Sequence, residues 1–192
     1  MTTVTSHAVA GAFRAVARRG FLPPDVRDAA EHDGPLPIGH GQTNSQPWTV
    51  AYMLELLDVR PGQRVLDVGA GSGWTTALLA HLVGASGEVI GVERIPALTS
   101  FGRANLAAHP LGPARIEQAR PGVLGWPAAA PFDRILVSAM AEALPEDLVG
   151  QLGPGGIMVV PVAGEMVRVR RAGDEIHLER SGGFAFVPLV RD

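Results

Sequence analysis

The chain has 192 residues, of which 46% are hydrophobic, and a formal net charge of −3. This length and composition predict one domain that buries a substantial core, and the charge balance does not predict a nucleic-acid-binding protein, which would carry a basic face. The absence of cysteine and lysine excludes a disulfide, a thiolate nucleophile and a Schiff base, and the six histidines lack the spacing of metal ligands.

The first third of the chain is predicted to be helical around one long loop. Its first residues lack the layout of a signal peptide, and no apolar run approaches the length of a membrane span, so the predicted location is the cytoplasm. The Arg18-Arg19 pair is predicted to be solvated. The predicted elements are a helix over 6–19, a short helix over 24–31, a loop over 33–46 and a helix that begins at Pro47, capped by Ser45 or Gln46.

A glycine-rich turn follows an apolar strand at residues 65–73, which read Val-Leu-Asp-Val-Gly-Ala-Gly-Ser-Gly. Glycines at this spacing let the backbone at a helix N-terminus approach a ligand closely. Glu93 stands twenty residues after Gly73, at the end of a second apolar run. An acid at that place in an open α/β sheet hydrogen-bonds ribose hydroxyls, so the pattern predicts a nucleoside cofactor.

The residue at the third glycine position of the dinucleotide fingerprint distinguishes between the possible cofactors. The dinucleotide fingerprint G-x-G-x-x-G requires glycine where this chain has Trp74, and the absence of lysine excludes a G-K-[ST] phosphate loop. The run Asp67-x-Gly69-x-Gly71-x-Gly73 instead resembles the first motif of class I S-adenosylmethionine methyltransferases. This resemblance implies that the cofactor-binding residues are Asp67, Gly69, Ala70, Gly71, Ser72, Gly73, Glu93 and Arg94.

Strands and helices alternate through the rest of the chain. The predicted elements are strands over 64–68, 88–93, 114–118, 133–138 and 157–162, and helices over 73–83, 96–108 and 145–152. Unbroken apolar strands in this alternation predict a parallel sheet covered on both faces. Polar and apolar residues alternate over 166–171 and 175–180 on either side of a Gly-Asp turn, which predicts a hairpin. A last strand is predicted over 184–189.

The predicted fold is therefore α/β, a doubly wound, mostly parallel, Rossmann-like sheet with N-terminal helices and an antiparallel C-terminal tail. We predict one domain whose parts are the N-terminal helices and substrate loop (1–60), the cofactor-binding core (61–163) and the antiparallel strands (164–192). This arrangement is typical of class I methyltransferases.

The loop over 36–47, Leu-Pro-Ile-Gly-His-Gly-Gln-Thr-Asn-Ser-Gln-Pro, resembles that of the protein-L-isoaspartate (D-aspartate) O-methyltransferases. Three further segments follow in the family's order: Val92-Glu93-Arg94, Ala130-Pro-Phe-Asp133 and Phe186-Val-Pro-Leu189. The resemblance implies methyl transfer from S-adenosylmethionine to the α-carboxylate of an isoaspartyl residue in a protein or peptide, leaving S-adenosylhomocysteine. The ester then cyclises to a succinimide, which hydrolyses partly to normal aspartate.

The same resemblance implies that the loop orients the accepting carboxylate. Ser45 matches the family's active-site serine, and Gln42, Thr43 and Asn44 complete the candidate catalytic set. A carboxylate with a pKa near 4 is already ionised at neutral pH, so it needs no general base. Positioning is then the main task of the protein.

Two positions depart from the family pattern. Where the family usually has Gly-Asp-Gly, whose acid helps to bind adenine, this chain has Arg120-Pro121-Gly122, and only Gly122 remains as a cofactor-binding candidate. Asn44 replaces the usual Ile or Val, and its side chain is expected to contact substrate.

These departures leave alternatives open. One is an enzyme that methylates an aspartate in a dedicated peptide, and another is a lapsed peptide-binding homologue that binds cofactor weakly. A nicotinamide oxidoreductase is disfavoured by Trp74 and by the loop over 36–47. The predicted partner is a protein or peptide that carries isoaspartate or aspartate, with no nucleic acid and no membrane, and the protein is predicted to be a monomer.

Overall fold

The computed structural model describes residues 5–109 and 112–191, in which helices and strands alternate as the sequence predicts. The helices are α1 (His7–Ala15), α2 (Pro47–Leu57), α3 (Trp74–Val83), α4 (Pro96–Ala108) and α5 (Glu146–Val149), with 3-10 turns at Arg18–Phe21, Pro24–Ala29 and Pro127–Ala129. The strands are β1 (Leu36–Gly39), β2 (Gln42–Asn44), β3 (Arg64–Val68), β4 (Glu88–Glu93), β5 (Ala114–Gln118), β6 (Phe132–Val137), β7 (Leu152–Val162), β8 (Glu165–Ala172) and β9 (Glu175–Ser181). Within these ranges no helix has the length and apolar character needed to cross a membrane.

Seven strands form one sheet in the order β5-β4-β3-β6-β7-β8-β9. The first five in that order are parallel, and β7, β8 and β9 are joined as antiparallel neighbours. The chain leaves β3 towards β4 on one side and returns to β6 on the other, so the strand order reverses beside β3. In an open α/β sheet a ligand crevice forms at such a reversal, outside the carboxyl ends of the strands.

The core lies on both faces of the sheet. Successive side chains of β3 point to opposite faces, so Val65 packs with the cluster under α1, α2 and α3 while Leu66 packs with the cluster on the other face. Trp74, the first residue of α3, is buried against Phe13 with ring centroids 5.5 Å apart, and its indole N–H donates to the Val16 carbonyl at 3.1 Å. The bulky residue at the third glycine position thus fixes the N-terminal segment to the cofactor core.

The N-terminal segment differs from the prediction in four details. The predicted helix over 6–19 ends at Ala15, and a 3-10 turn follows at Arg18–Phe21. The predicted helix over 24–31 is a shorter 3-10 turn, and the predicted loop over 33–46 contains the antiparallel hairpin β1–β2. Gln46 is the residue before α2, but neither its side chain nor that of Ser45 caps the helix. The Asp33 carboxylate does so instead, because it accepts from the Trp48 backbone N–H at 2.9 Å.

The predicted last strand over 184–189 is wrong. This segment runs extended beside the residues that follow β6 and pairs with them only at an isolated bridge between Met140 and Pro188. Proline has no backbone N–H, so it cannot continue a strand ladder. The segment, which we call the C-terminal tail (residues 182–191), therefore forms a wall at the carboxyl edge of the sheet rather than an eighth strand.

Candidate active site

A cavity opens at the carboxyl ends of β3, β4 and β6, where the strand order reverses. Its lining comes from four parts of the chain: the hairpin β1–β2, the strand ends, the loop after β5 and the C-terminal tail. The lining residues are Ile38, Gln42, Thr43, Val68, Gly69, Gly71, Val92, Glu93, Arg94, Ala119, Val123, Leu124, Gly125, Ser138, Ala139, Val187, Pro188, Leu189 and Val190.

The glycine turn after β3 forms the floor of this cavity. Gly69, Gly71 and Gly73 have φ angles of 83°, 53° and 85°, a left-handed backbone that strongly favours glycine. Both oxygens of Glu93 hold the surrounding backbone, accepting from the N–H of Gly71 at 2.9 Å and of Ile95 at 2.8 Å. Each carboxylate oxygen keeps a further lone pair, so Glu93 can still accept from the hydroxyls of a ribose.

Asp67 lies directly behind the glycine turn and is completely buried. One carboxylate oxygen accepts from the Thr76 hydroxyl at 2.7 Å, and the other, Oδ1, has no hydrogen-bond partner among the residues that the structure describes. Burial raises the pKa of Asp67 to about 7, the Thr76 hydrogen bond opposes that rise and the charge of Glu93 adds to it. A buried carboxylate with an unpaired oxygen would be stabilised by a positive charge nearby.

The cavity lining separates the predicted cofactor residues into two groups. Gly69, Gly71, Glu93 and Arg94 line the cavity. Asp67, Ala70, Ser72, Gly73 and Gly122 lie outside the lining. Among the latter, Ser72 is buried and holds other elements together, since its carbonyl accepts from the Asn105 side chain at 2.9 Å.

The loop after β5 supplies Val123, Leu124 and Gly125 to the lining, next to the positions where the family's acid is replaced. The buried side chain of Gln151 fixes this loop by donating to the Leu124 carbonyl and accepting from the Trp126 N–H, both at 2.8 Å. Sequence reasoning missed Gln151, because its two partners lie about 25 residues earlier. Glu93 is the only carboxylate among the lining residues that the structure describes, so the base of a nucleoside would meet mainly apolar side chains here.

Pro121 stands where the family has its acid, and Arg120 precedes it. The guanidinium of Arg120 lies over the ring of Trp126, 5.0 Å from its centroid, and lines a neighbouring cavity of about 480 Å³ rather than the one described above. Gly122 keeps a positive φ of 73° and makes the turn. The backbone shape of the loop is therefore kept without the acid.

A groove of about 440 Å³ joins the cavity on its other side. The two share Thr43, Ser138 and Val187, and the groove also contains Ser45 and Gln46. Thr43 and Ser138 therefore stand where the groove meets the cavity. Ser138 was not predicted as a site residue, although its position as the first polar residue after the apolar strand β6 is a usable signal.

The expectation that Asn44 contacts substrate is contradicted. Its side chain is buried, with Oδ1 accepting from Arg18 Nε at 2.7 Å and Nδ2 donating to the Ser72 hydroxyl at 3.0 Å. Both ends are thus occupied inside the protein. Asn44 thus connects the hairpin β1–β2, which contains Thr43, to the glycine turn. Ser45 follows Asn44 directly in the chain.

Arg18 is the centre of this connection, and the prediction that it is solvated is wrong. It is 6% exposed, and burial lowers the pKa of its guanidinium, which lies 5.4 Å from the Trp74 ring centroid. It donates to the carbonyls of His32, Gly34, Asn44 and Ser45 at 2.9–3.0 Å. One buried cation therefore fixes the whole course of the chain from residue 32 to residue 45.

The chain is similar to known proteins over nearly its whole length. The family described as Protein-L-isoaspartate(D-aspartate) O-methyltransferase (PCMT) matches residues 1–192. A protein-L-isoaspartate O-methyltransferase of Methanopyrus kandleri is 50% identical over 97% of this chain and 85% of its own length, and one of Rhodopseudomonas palustris is 45% identical over 96% and 76%. A Plasmodium falciparum structure of the same description, in complex with S-adenosyl-L-homocysteine, matches with a TM-score of 0.88 at 26% identity, covering 98% of this chain and 93% of that one.

Proposed function

The chain belongs to the protein-L-isoaspartate(D-aspartate) O-methyltransferase family, and we propose that it transfers a methyl group from S-adenosylmethionine to the α-carboxylate of L-isoaspartyl residues in proteins or peptides. The methyl ester then cyclises to a succinimide, and hydrolysis of the succinimide returns part of the damaged residue to aspartate. The observation that carries this proposal is the meeting of two spaces at Thr43 and Ser138, one next to the glycine turn and Glu93 and one that contains the hydroxyls of Thr43, Ser45 and Ser138.

The cofactor side of the site binds and orients. S-adenosylmethionine, when bound, supplies an electrophilic methyl carbon attached to a positively charged sulfur. Glu93 would hold the ribose through the lone pairs that its two backbone contacts leave free. Gly69 and Gly71 let the ligand approach the backbone, and the buried carboxylate of Asp67 favours the positive charge.

The acceptor side orients a carboxylate without neutralising it. The groove presents the hydroxyls of Thr43, Ser45 and Ser138, and no charged side chain occurs among its described lining residues. Hydroxyl donors can align a carboxylate while leaving its charge available for attack, and the acceptor is already ionised at neutral pH. Alignment of oxygen, methyl carbon and sulfur can lower the barrier by roughly 7–11 kcal/mol, so this site needs no general base.

The structure gives no support to the two alternatives, an enzyme with a dedicated peptide substrate and a lapsed homologue. A dedicated peptide substrate was motivated partly by Asn44, which is buried and therefore cannot select a peptide by direct contact. A lapsed enzyme was motivated by the absent acid near Arg120, but the turn at Gly122 and the contacts of Glu93 are intact. Neither alternative gains an observation of its own.

The proposal is tested by incubating the protein with methyl-labelled S-adenosylmethionine and an isoaspartyl peptide, and following the peptide mass. We expect the methyl ester and then the succinimide. Binding of S-adenosylmethionine is measured separately by calorimetry. Binding without methylation would favour a dedicated substrate, and the absence of both would favour a lapsed enzyme.

We also propose that the protein acts as a monomer in the cytoplasm, on protein or peptide substrates alone. The family match supports protein substrates. Light scattering of the purified protein, with and without S-adenosylhomocysteine, tests the oligomeric state.

A further inference from the structure

An aromatic side chain is exposed in the groove although its surroundings hold it firmly. Trp48, in the first turn of α2, is 49% exposed and lines the groove beside Ser45 and Thr49. Its backbone N–H is bound by the Asp33 carboxylate, so the start of the helix is fixed there. A large apolar surface that is exposed and also fixed is a candidate for contact with a ligand.

Two further rings hold Trp48 in one orientation. Tyr52 is stacked on it at a centroid distance of 5.6 Å with an interplanar angle of 6°, and Phe184 of the C-terminal tail lies 6.2 Å away at 12°. Tyr52 and Phe184 are themselves 5.4 Å apart, and the Tyr52 hydroxyl is hydrogen-bonded to Ser181 at 2.7 Å. The three rings are nearly parallel and form what we call the aromatic shelf (Trp48, Tyr52 and Phe184).

The aromatic shelf borders the place where the acceptor would lie. Trp48 and Phe184 line the same groove as Thr43 and Ser138, which are also in the cofactor cavity. A peptide whose carboxylate reaches Thr43 and Ser138 would therefore extend its neighbouring residues along the groove towards the shelf. The groove lining also includes Gly182 and Gly183. A Cβ built on Gly183 meets no described atom within 4 Å, whereas one built on Gly182 meets the Phe184 ring at 2.8 Å, so Gly182 lies against the shelf.

We propose that the aromatic shelf is a subsite for an aromatic side chain adjacent to the methyl-accepting residue of the peptide. The proposal rests on the proposed function, because it takes the accepting residue to lie at Thr43 and Ser138. Stacked or edge-on aromatic pairs attract beyond their buried area, and the groove offers such a partner no charged group among its described lining residues. The shelf makes the protein selective for sequence around the damaged residue.

The test uses isoaspartyl peptides that differ at one position, with Phe or Gly placed before or after the isoaspartate. We expect Phe on one of the two sides to raise kcat/KM by about tenfold, mainly through KM. We expect Trp48→Ala to remove this preference, so that the Phe and Gly peptides give the same kcat/KM, while Trp48→Phe keeps most of it. Leu178→Ala, an exposed apolar residue outside the groove lining, is the matched control and keeps the full preference.

A binding measurement separates this proposal from the proposed function. Fluorescein-labelled versions of the same peptides are titrated with protein saturated with S-adenosylhomocysteine, and anisotropy gives Kd. One outcome is that no peptide is methylated, but the Phe peptide binds more tightly than the Gly peptide and Trp48→Ala abolishes the difference. In that case the proposed function is wrong, while the aromatic subsite is confirmed. Equal KM and Kd for Phe and Gly peptides, or a preference that Trp48→Ala retains, overturns the subsite.

Discussion

The substitution Asp67→Asn is expected to stabilise the protein without cofactor and to weaken cofactor binding. Asparagine has nearly the same shape as aspartate and keeps an oxygen that can accept from Thr76, as Oδ2 of Asp67 does at 2.7 Å. It carries no charge, whereas the carboxylate of Asp67 is wholly buried with Oδ1 unpaired. The variant therefore removes the cost of burying a charge, together with the attraction for a positively charged ligand.

The size of the effect follows from the pKa. Burial raises the pKa of Asp67 from 3.8 to about 7. A raised pKa means that the unfolded chain releases its proton first, so the stability linked to this group is fully present below pH 3.8 and lost as the pH rises through about 7. At about 1.4 kcal/mol per pKa unit, burying the charged form lowers the unfolding free energy by on the order of 4 kcal/mol at pH 8. Roughly 3 kcal/mol of this decrease occurs between pH 5 and pH 8. The new amide N–H₂ next to the unpaired position costs about 1–3 kcal/mol, which leaves a net gain of roughly 1–3 kcal/mol at pH 8.

Urea unfolding of the native protein and of Asp67→Asn at pH 5 and pH 8 measures this effect. We expect the difference in unfolding free energy to move in favour of the variant by about 3 kcal/mol between the two pH values. Asp28→Asn is the control, because the Asp28 side chain is 95% exposed, and it should show no such change. Calorimetry at pH 8 should show weaker binding of S-adenosylmethionine. A stability difference that is the same at both pH values would refute the reasoning.

Three further substitutions test other parts of the site. Glu93→Ala should weaken binding of S-adenosylmethionine at least tenfold by calorimetry, because it removes the ribose acceptor and the anchor of Gly71. Unchanged affinity would place the ribose elsewhere. Ser45→Ala should lower kcat for an isoaspartyl peptide more than cofactor affinity, and an unaltered rate would leave Ser45 without a role in orienting the acceptor. Arg18→Met should lower the unfolding free energy by about 3–5 kcal/mol in urea, since it leaves the Asn44 side chain and four buried or half-buried carbonyls without their donor. A loss below about 1 kcal/mol would contradict the role given to Arg18.

The parallel core could be predicted from the sequence because its signals are local. The apolar runs of β3 and β4 end at a glycine or an acid, and both strands have the predicted bounds to the residue, as does the less apolar β5. The turn at Gly69 and Gly71 was predictable for the same reason, since the left-handed backbone that it requires is a property of single residues. The last strand was predicted wrongly because Val187 and Leu189 are apolar and alternate with other residues as in a strand. Pro188 between them prevents a continuous strand ladder.

The network behind the site could not be predicted, because its contacts join distant parts of the chain. Arg18 resembles any surface arginine in sequence, and only the folded chain brings Asn44, 26 residues later, to its guanidinium. Asn44 looked like a substrate contact because polar residues in a loop usually face solvent. Its burial depends on Ser72, which another element supplies. Residues that hold a site in place thus carry weaker sequence signals than those that touch a ligand.

The most direct test of the account compares two peptides that differ only in one linkage, isoaspartyl or aspartyl, with S-adenosylmethionine as methyl donor and mass spectrometry as readout. We expect the isoaspartyl peptide alone to gain a methyl group and then to lose methanol as it forms the succinimide. That result would also show that Arg120 and Pro121 are compatible with cofactor use. Equal methylation of both peptides, or of neither while S-adenosylmethionine binds, would contradict isoaspartate as the substrate.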